Sequence, residues 1–453
     1  MALTKYDIVL DTFRRLLRRG AIANLSKIVD KMHPADVAKV IRHLAAGPEK
    51  RTILDLIKEV ETKADVIIEI DPASRNEILS EMPPSDVVAI LKELPSDDVA
   101  DIVGDMPEDK AREILNLMKK EDSVEVEGLL KYPEETAGGI MTPDFFSLTE
   151  DTTAQEAIAR LQQASDAEMV FYIYVTDKDG RLVGVISLRQ LLLVPPSTSL
   201  KKIMTTDVMS VNAEMDQEEV ARQVARYNLL AIPVVDKENK LVGIITVDDI
   251  VDVIREEATE DILKMAGTTE DEIMLGTSTM NAAKFRLPWI LTNLLGGIIT
   301  GSFLWVFRPA IQEVIALASF LPVITAMGGN IGLQSSTIVV RGLATGRIEL
   351  TDVWKVFLRE LRVGTLLGIV CGGIIGIIAR IWHGNMMLGI VVGVSMFAAI
   401  TVAAIMGTLI PVILKNFNRD PAVSSGPFVT TANDITGLVI YLSLANYLLN
   451  YLR

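Results

Sequence analysis

Residues 421–452 read PAVSSGPFVTTANDITGLVIYLSLANYLLNYL, and the only side chain in this run that is charged at neutral pH is Asp434. About 20 predominantly apolar residues are what a helix needs to cross ~30 Å of hydrocarbon. A carboxylate placed inside such a helix costs roughly 2.5–3.5 kcal/mol even on the lenient insertion scale. No basic residue lies within the run, so Asp434 has to find its counter-charge on another helix, on another subunit or on a passing cation. The cation is the reading carried forward. Thr430, Thr431 and Asn433 offer neutral oxygens close by, although a threonine in a helix can equally donate its hydroxyl back to its own helix carbonyls.

Outward from this run, the chain has further long uncharged stretches at Leu287–Phe307, Val314–Val340, Val363–Ala379 and Gly384–Leu414, and Ile435–Leu452 completes a set of five spans. Lys and Arg in short loops favour the cytoplasm. With the front of the chain inside, nine basic residues fall in inner loops (Lys284, Arg286, Arg341, Arg347, Lys355, Arg359, Arg362, Lys415, Arg419) and three outside (Arg308, Arg380, Arg453). The expected topology is therefore N-terminus cytoplasmic and C-terminus outside.

The polarity of the chain is split. Its 453 residues carry a formal charge of -15, yet residues 281–453 hold 12 Lys and Arg against 6 Asp and Glu, while residues 1–280 hold 32 against 53. The first twenty residues have charges throughout and no apolar core of a signal peptide, so the acidic front is expected in the cytosol. One cysteine, Cys371, removes a disulfide framework, and three histidines leave too few ligands for a zinc site of the usual kind. An acidic front with no basic patch gives no reason to expect nucleic acid.

The front itself is built from repeats. IDPASRNEILSEM, MPPSDVVAILKEL, LPSDDVADIVGDM and MPEDKAREILNLM follow one another every twelve residues over 70–118, with MHPADVAKVIRHL at 32–44 as a further copy. Each begins with proline near a first turn and Ser or Asp able to cap free N–H groups, then apolar residues three and four apart. Helices this short bury a core only by stacking, which predicts an all-α superhelical domain over residues 1–130. A second duplication occupies 141–254: VFYIYVTDKDGRLVGVISLRQLL recurs as LAIPVVDKENKLVGIITVDDIV, two apolar strands around an Asp-Gly or Glu-Asn turn. This resembles a tandem pair of CBS domains, α/β in class, at 131–202 and 203–256. A connecting helix over 257–280 and an all-α transmembrane domain of five helices over 281–453 complete the expected multidomain order. Asp249, Asp252, Glu256 and Glu260, spaced three, four and four, share one helix face. Like charges four apart destabilise a helix by roughly 0.2–0.5 kcal/mol per pair, so something positive is expected on that face.

Helical repeats, a CBS pair and five spans in this order resemble the MgtE family of magnesium channels and transporters. The local matches are KYPEETAGGIMTPDF at 131–145, TVDDIVDVIREEATEDI at 246–262, RLPW at 286–289, MGGNIGLQSS at 327–336 and GPFVTTANDITGLVIYLS at 426–443. The resemblance implies a homodimer in the bacterial inner membrane, a pore along the dimer axis, no enzymatic activity and no obligate protein partner besides a second copy. It further implies Mg²⁺ as transported and regulatory ion, with Asp434, Asn433 and Thr430 at the pore. It assigns Asp97, Asp101, Glu218, Asp249, Asp252, Glu257, Glu260 and Asp261 to the regulatory Mg²⁺ that closes it. Asn228 stands where an acid is expected, which predicts one regulatory ligand fewer. A relative of the family binds ATP at its CBS pair. Tyr172 and Arg189 could serve that role here, but Gln190 and Leu229 replace an acid and an aromatic, which argues against ATP. Mg²⁺ is a hard ion that keeps most of its water and suits one or two carboxylates. Two other functions remain open on the sequence: a divalent-cation exchanger on the same fold, and a membrane-anchored nucleotide sensor built on the CBS pair.

Overall fold

The computed structural model describes residues 5–44, 47–163, 171–269, 272, 279–417 and 419–452. It forms two compact units that divide in sequence between Arg255 and Glu256.

In the first unit the repeats fold as expected into short helices, among them Pro34–Arg42, Pro72–Ser80, Pro84–Leu91, Ser96–Gly104 and Glu108–Leu117. Capping is only partly as the sequence suggests. Asp71 accepts a hydrogen bond from the Ser74 N–H at 3.0 Å, whereas the helices entered at Pro83, Pro95 and Pro107 have no side-chain cap. Acidic residues in their first turns, such as Asp86, Asp97 and Glu108, face the positive end of the helix dipole instead. The helices pack chiefly on the neighbour two along, burying Val37, Ile41, Ile78, Leu91 and Ile102 in one core. The Arg75 guanidinium reaches Asp105 at 2.6 Å across that stack.

Each CBS copy contains one three-stranded sheet of the same topology: Ser147–Thr149, Tyr172–Thr176 and Leu182–Ser187 in the first, Val211–Asn212, Ala231–Val235 and Leu241–Thr246 in the second. The outer strand is parallel to the middle one and the third antiparallel, with a register shift at the same place in both copies. The turns that link the last two strands pair with each other: Leu182 N–H donates to the Asn239 carbonyl at 3.0 Å and Leu241 N–H to the Gly180 carbonyl at 3.1 Å. Both turn residues need positive φ, +81° at Gly180 and +63° at Asn239, which is why Gly and Asn stand there.

In the second unit, five helices among the described residues are long and apolar enough to cross a membrane: Thr279–Val306, Ile315–Ala344, Leu350–His383, Met386–Asn416 and Pro427–Tyr447, here the first to fifth spans. The number matches the sequence reading, but boundaries differ in the first, third and fifth: the first helix starts at Thr279 and carries Lys284 and Arg286 ahead of Leu287. The third helix starts well before Val363 and carries Lys355, Arg359 and Arg362 within it. The fifth starts at Pro427, ahead of the uncharged stretch that begins at Ile435, and so takes in Asp434 two turns from its start, inside the membrane helix as expected. Charge gaps mark where charge stops, and a helix can run on through charged residues at its interfacial end. The third and fourth spans touch backbone to backbone: a Cβ on Gly372 would meet the Gly393 carbonyl oxygen at 2.5 Å, and one on Gly389 the Gly376 oxygen at 2.6 Å.

Candidate pore and sensor residues

The fifth span begins at Pro427, whose missing N–H costs a helix start nothing. Thr430 donates its hydroxyl to the Gly426 carbonyl at 2.9 Å, the self-bonding alternative open to a helical threonine. Asn433 is 1% exposed, and its amide lies against the second span at Gly332, where a Cβ would come within 1.8 Å of Nδ2. Neither amide atom has a hydrogen-bond partner among the described residues. Asp434 is partly exposed, and no hydrogen bond or ion pair engages its carboxylate among those residues.

One carboxylate escaped the sequence reading. Glu360, in the third span, is 4% exposed and accepts from the Ser335 hydroxyl at 2.9 Å and from the Arg359 guanidinium at 3.0 Å. Ser335 belongs to the MGGNIGLQSS segment, so Glu360 ties the third span to the second. Its neighbour Arg359 disguised it as one more charge at a loop boundary.

Of the sensor candidates, Asp97 and Asp101 lie one turn apart on Ser96–Gly104. Desolvation first, then the negative charge of Asp97, pushes the Asp101 carboxyl up to about 7, with Asp105 and Glu134 adding to the rise and Arg75 opposing it. Glu218 accepts from Arg222 one turn along at 3.2 Å. Asp249 accepts from the Thr246 hydroxyl at 2.6 Å; burial raises its carboxyl above the ordinary range, and the Thr246 bonds pull it partly back. Asp252 is exposed and Glu257 partly so. Asp249, Asp252, Glu257, Glu260 and Asp261 all belong to one continuous helix, Val247–Ala266.

Within the second unit, positive side chains meet two acids of this helix. Lys264 bridges Glu260 at 2.5 Å and Asp420, in the connection between the fourth and fifth spans, at 2.9 Å. Burial alone would lower the Lys264 ammonium, but the two carboxylates hold it above its usual value. Arg341, at the end of the second span, lies 3.8 Å from Asp261. Glu260 and Lys264 are four apart in sequence, a pairing legible from spacing alone; the contributions of Asp420 and Arg341 come from the tertiary fold. Among the described residues no three of His, Cys, Asp and Glu converge tightly enough to hold a metal.

In the CBS pair, a cavity of about 320 Å³ is lined by Tyr172, Asp207, Tyr227, Leu229 and Pro233 among others. Arg189 is exposed and lies outside that lining. Gln190 closes a capping box with Ser187, its Oε1 accepting from the Ser187 N–H at 3.1 Å. Asn228 ends its helix with φ at +52°, a left-handed conformation that Asn adopts more readily than most residues with a side chain.

A family model described as a divalent cation transporter matches residues 321–444, one for the MgtE intracellular N domain matches 32–135, and the CBS-domain model matches 137–197 and 200–256. The magnesium transporter MgtE of Bacillus subtilis (strain 168) is 42% identical over 315 residues, 69% of this chain and 70% of the relative. That of Thermus thermophilus is 42% identical over 322 residues, 70% of this chain and 71% of the relative. The chain belongs to the MgtE family. A solved structure of the cytosolic domain of the Mg²⁺ channel MgtE in complex with ATP is 37% identical, with a TM-score of 0.50, and covers 54% of this chain and 99% of that one. The helical N domain, the CBS pair and the five apolar helices are thus the parts of an MgtE protein. The transporter model takes in Gly332, Glu360 and Asp434 together.

Proposed function

We propose that this MgtE protein is a homodimeric Mg²⁺ channel of the bacterial inner membrane, N-terminus cytoplasmic and C-terminus outside, importing the ion down its electrochemical gradient. The observation that carries the proposal is Asp434, the fifth span's single carboxylate, partly exposed two turns inside the helix. Two such carboxylates, one per subunit, suit an ion that stays hydrated and is held by few oxygens. Thr430 hydroxyls bonded to their own helix, and Asn433 amides packed on Gly332, leave Asp434 as the principal ligand.

Closure follows from the acids of the N domain, the CBS pair and the connecting helix. Cytosolic Mg²⁺ shared among Asp97, Asp101, Glu218, Asp249, Asp252, Glu257, Glu260 and Asp261 binds the closed arrangement better and shifts the population towards it by that difference in affinity. ATP has no part in this reading, because Gln190 is engaged in a cap and Arg189 stands outside the cavity, which leaves the rings of Tyr172, Tyr174 and Tyr227 without a basic residue among the lining. The zero-current potential in liposomes tests the proposal against the exchanger. A channel follows the Mg²⁺ Nernst potential at every Na⁺ or H⁺ gradient; a potential that moves with either counter-ion overturns it.

A further inference from the structure

Asn433 is a buried polar side chain whose amide has no hydrogen-bond partner among the described residues, and its surroundings show what holds it. Gly332 provides the notch: a Cβ there would lie 1.8 Å from Asn433 Nδ2 and 3.0 Å from both Asn433 Cγ and Val429 Cγ1. The notch cannot retreat, because the fourth span backs it. A Cβ on Gly407 would sit 2.3 Å from the Gly332 carbonyl oxygen. Two residues earlier in the fifth span, Thr431 is seated in the same manner on the first span, where a Cβ on Gly296 would meet its Cγ2 at 2.4 Å. With about 100° of rotation per residue, Asp434 points about 100° round the helix from Asn433 and about 60° from Thr431, in the arc between the two seats.

We propose that Asn433 is a positioning residue of the pore: lodged in the Gly332 notch, it fixes the rotation of the fifth span about its own axis, and so the direction in which Asp434 faces. The inference rests on the reading of Asp434 as the pore carboxylate. It gives Asn433 a role in Mg²⁺ affinity and selectivity that needs no contact with the ion. Both amide atoms lack hydrogen-bond partners among the described residues, so shape is what secures the seat. Leucine has the same branched outline without the polar atoms and keeps the seat; alanine vacates it.

The test compares Asn433→Ala, Asn433→Leu, Gly332→Ala and the double variant Gly332→Ala/Asn433→Ala in proteoliposomes, reading half-saturating Mg²⁺, the Mg²⁺-to-Na⁺ reversal potential and the melting temperature. Asn433→Ala and Gly332→Ala are each expected to raise half-saturating Mg²⁺ at least tenfold. Asn433→Leu stays within threefold of wild type. The double variant recovers to within threefold, since the new methyl at 332 occupies the space the amide leaves. If Gly332→Ala does not fold, Asn433→Ala against Asn433→Leu still decides, because neither brings the notch residue into conflict. Variants that lower only the melting temperature, with Mg²⁺ dependence and selectivity unchanged, reduce Asn433 to a packing residue and overturn the inference. Equal losses in Asn433→Ala and Asn433→Leu overturn it in favour of direct ion contact. Asp434→Asn, measured alongside, separates the two layers. If it leaves Mg²⁺ dependence unchanged, the pore reading fails and this inference with it; if it abolishes saturation while the seat variants do nothing, the positioning role alone falls.

Discussion

Gly372→Ala should loosen the membrane unit where its third and fourth spans lie backbone against backbone. The new methyl would stand 2.5 Å from the Gly393 carbonyl oxygen, about 0.8 Å inside the ~3.3 Å at which carbon and carbonyl oxygen ordinarily touch. That oxygen belongs to a helix backbone, which cannot swing aside like a side chain, so the two helices have to separate. Overpacking of this kind costs about 1–3 kcal/mol, and separation also weakens the reciprocal contact at Gly376 and Gly389. Alanine returns up to ~1 kcal/mol of helix propensity, so the middle of the overpacking range leaves a net loss of about 1 kcal/mol, and the weakened second contact brings it to about 1–2 kcal/mol. At about 2–4 °C per kcal/mol for a unit of this size, the melting temperature should fall by about 2–8 °C. Gly373→Ala is the internal control, since a Cβ there has nothing within 4 Å, and it should hold or raise the melting temperature. The assay is thermal unfolding of the purified protein in detergent. A Gly372→Ala protein that melts no lower than Gly373→Ala would refute the seam.

Further outcomes concern the sensor. Asp101 stands exposed on its helix, yet desolvation by its crowded surroundings, and then the acids among them, push its carboxyl up from 3.8 to about 7, so between those values the folded state favours a proton that the unfolded chain has lost. Without Mg²⁺, stability of the N domain should therefore fall as pH rises through that window and be fully present below it. Mg²⁺ needs the ionised carboxylate, so its inhibitory binding should tighten as pH rises through about 7, and Asp101→Asn should flatten that dependence; an unchanged pH profile in the variant excludes Asp101 from the sensor. Neutralising Asp249, Asp252, Glu257 and Glu260 together removes both their mutual repulsion and the cation's foothold. The lost bridge should dominate at high Mg²⁺, leaving patch recordings active at inhibitory concentrations; a dose–inhibition curve like that of wild type places the sensor elsewhere. Titration of the wild-type protein with ATP should give no saturable heat at concentrations where Mg²⁺ inhibition is complete, and a saturable isotherm would return the Tyr172 cavity to the nucleotide.

Prolines every twelve residues carried the N domain in plain view, because a fixed φ at each helix start leaves a mark that does not depend on neighbours. The CBS turns were equally legible, since only residues tolerant of positive φ fit at Gly180 and Asn239. Span number survived in the charge gaps, while span boundaries did not: Lys355 and Arg359 ride on the third helix, and Pro427 starts the fifth helix ahead of Asp434. What the sequence hid was partnership. Lys264 is legible from its spacing to Glu260, whereas Asp420 and Arg341, which meet Lys264 and Asp261, reach this helix only through the fold. Asn433 stands beside Asp434 in sequence, but adjacent helical residues point about 100° apart, and its amide lies against Gly332.

The central claim is that Mg²⁺ crosses at Asp434, and Mg²⁺ uptake into proteoliposomes by wild type and Asp434→Asn, at matched amounts of folded protein, tests it most directly. The asparagine keeps the size and the capacity to bind water but not the charge. Saturable Mg²⁺ uptake by wild type that is lost in Asp434→Asn is the predicted result; uptake by the variant at the wild-type rate, with wild-type selectivity, would contradict it.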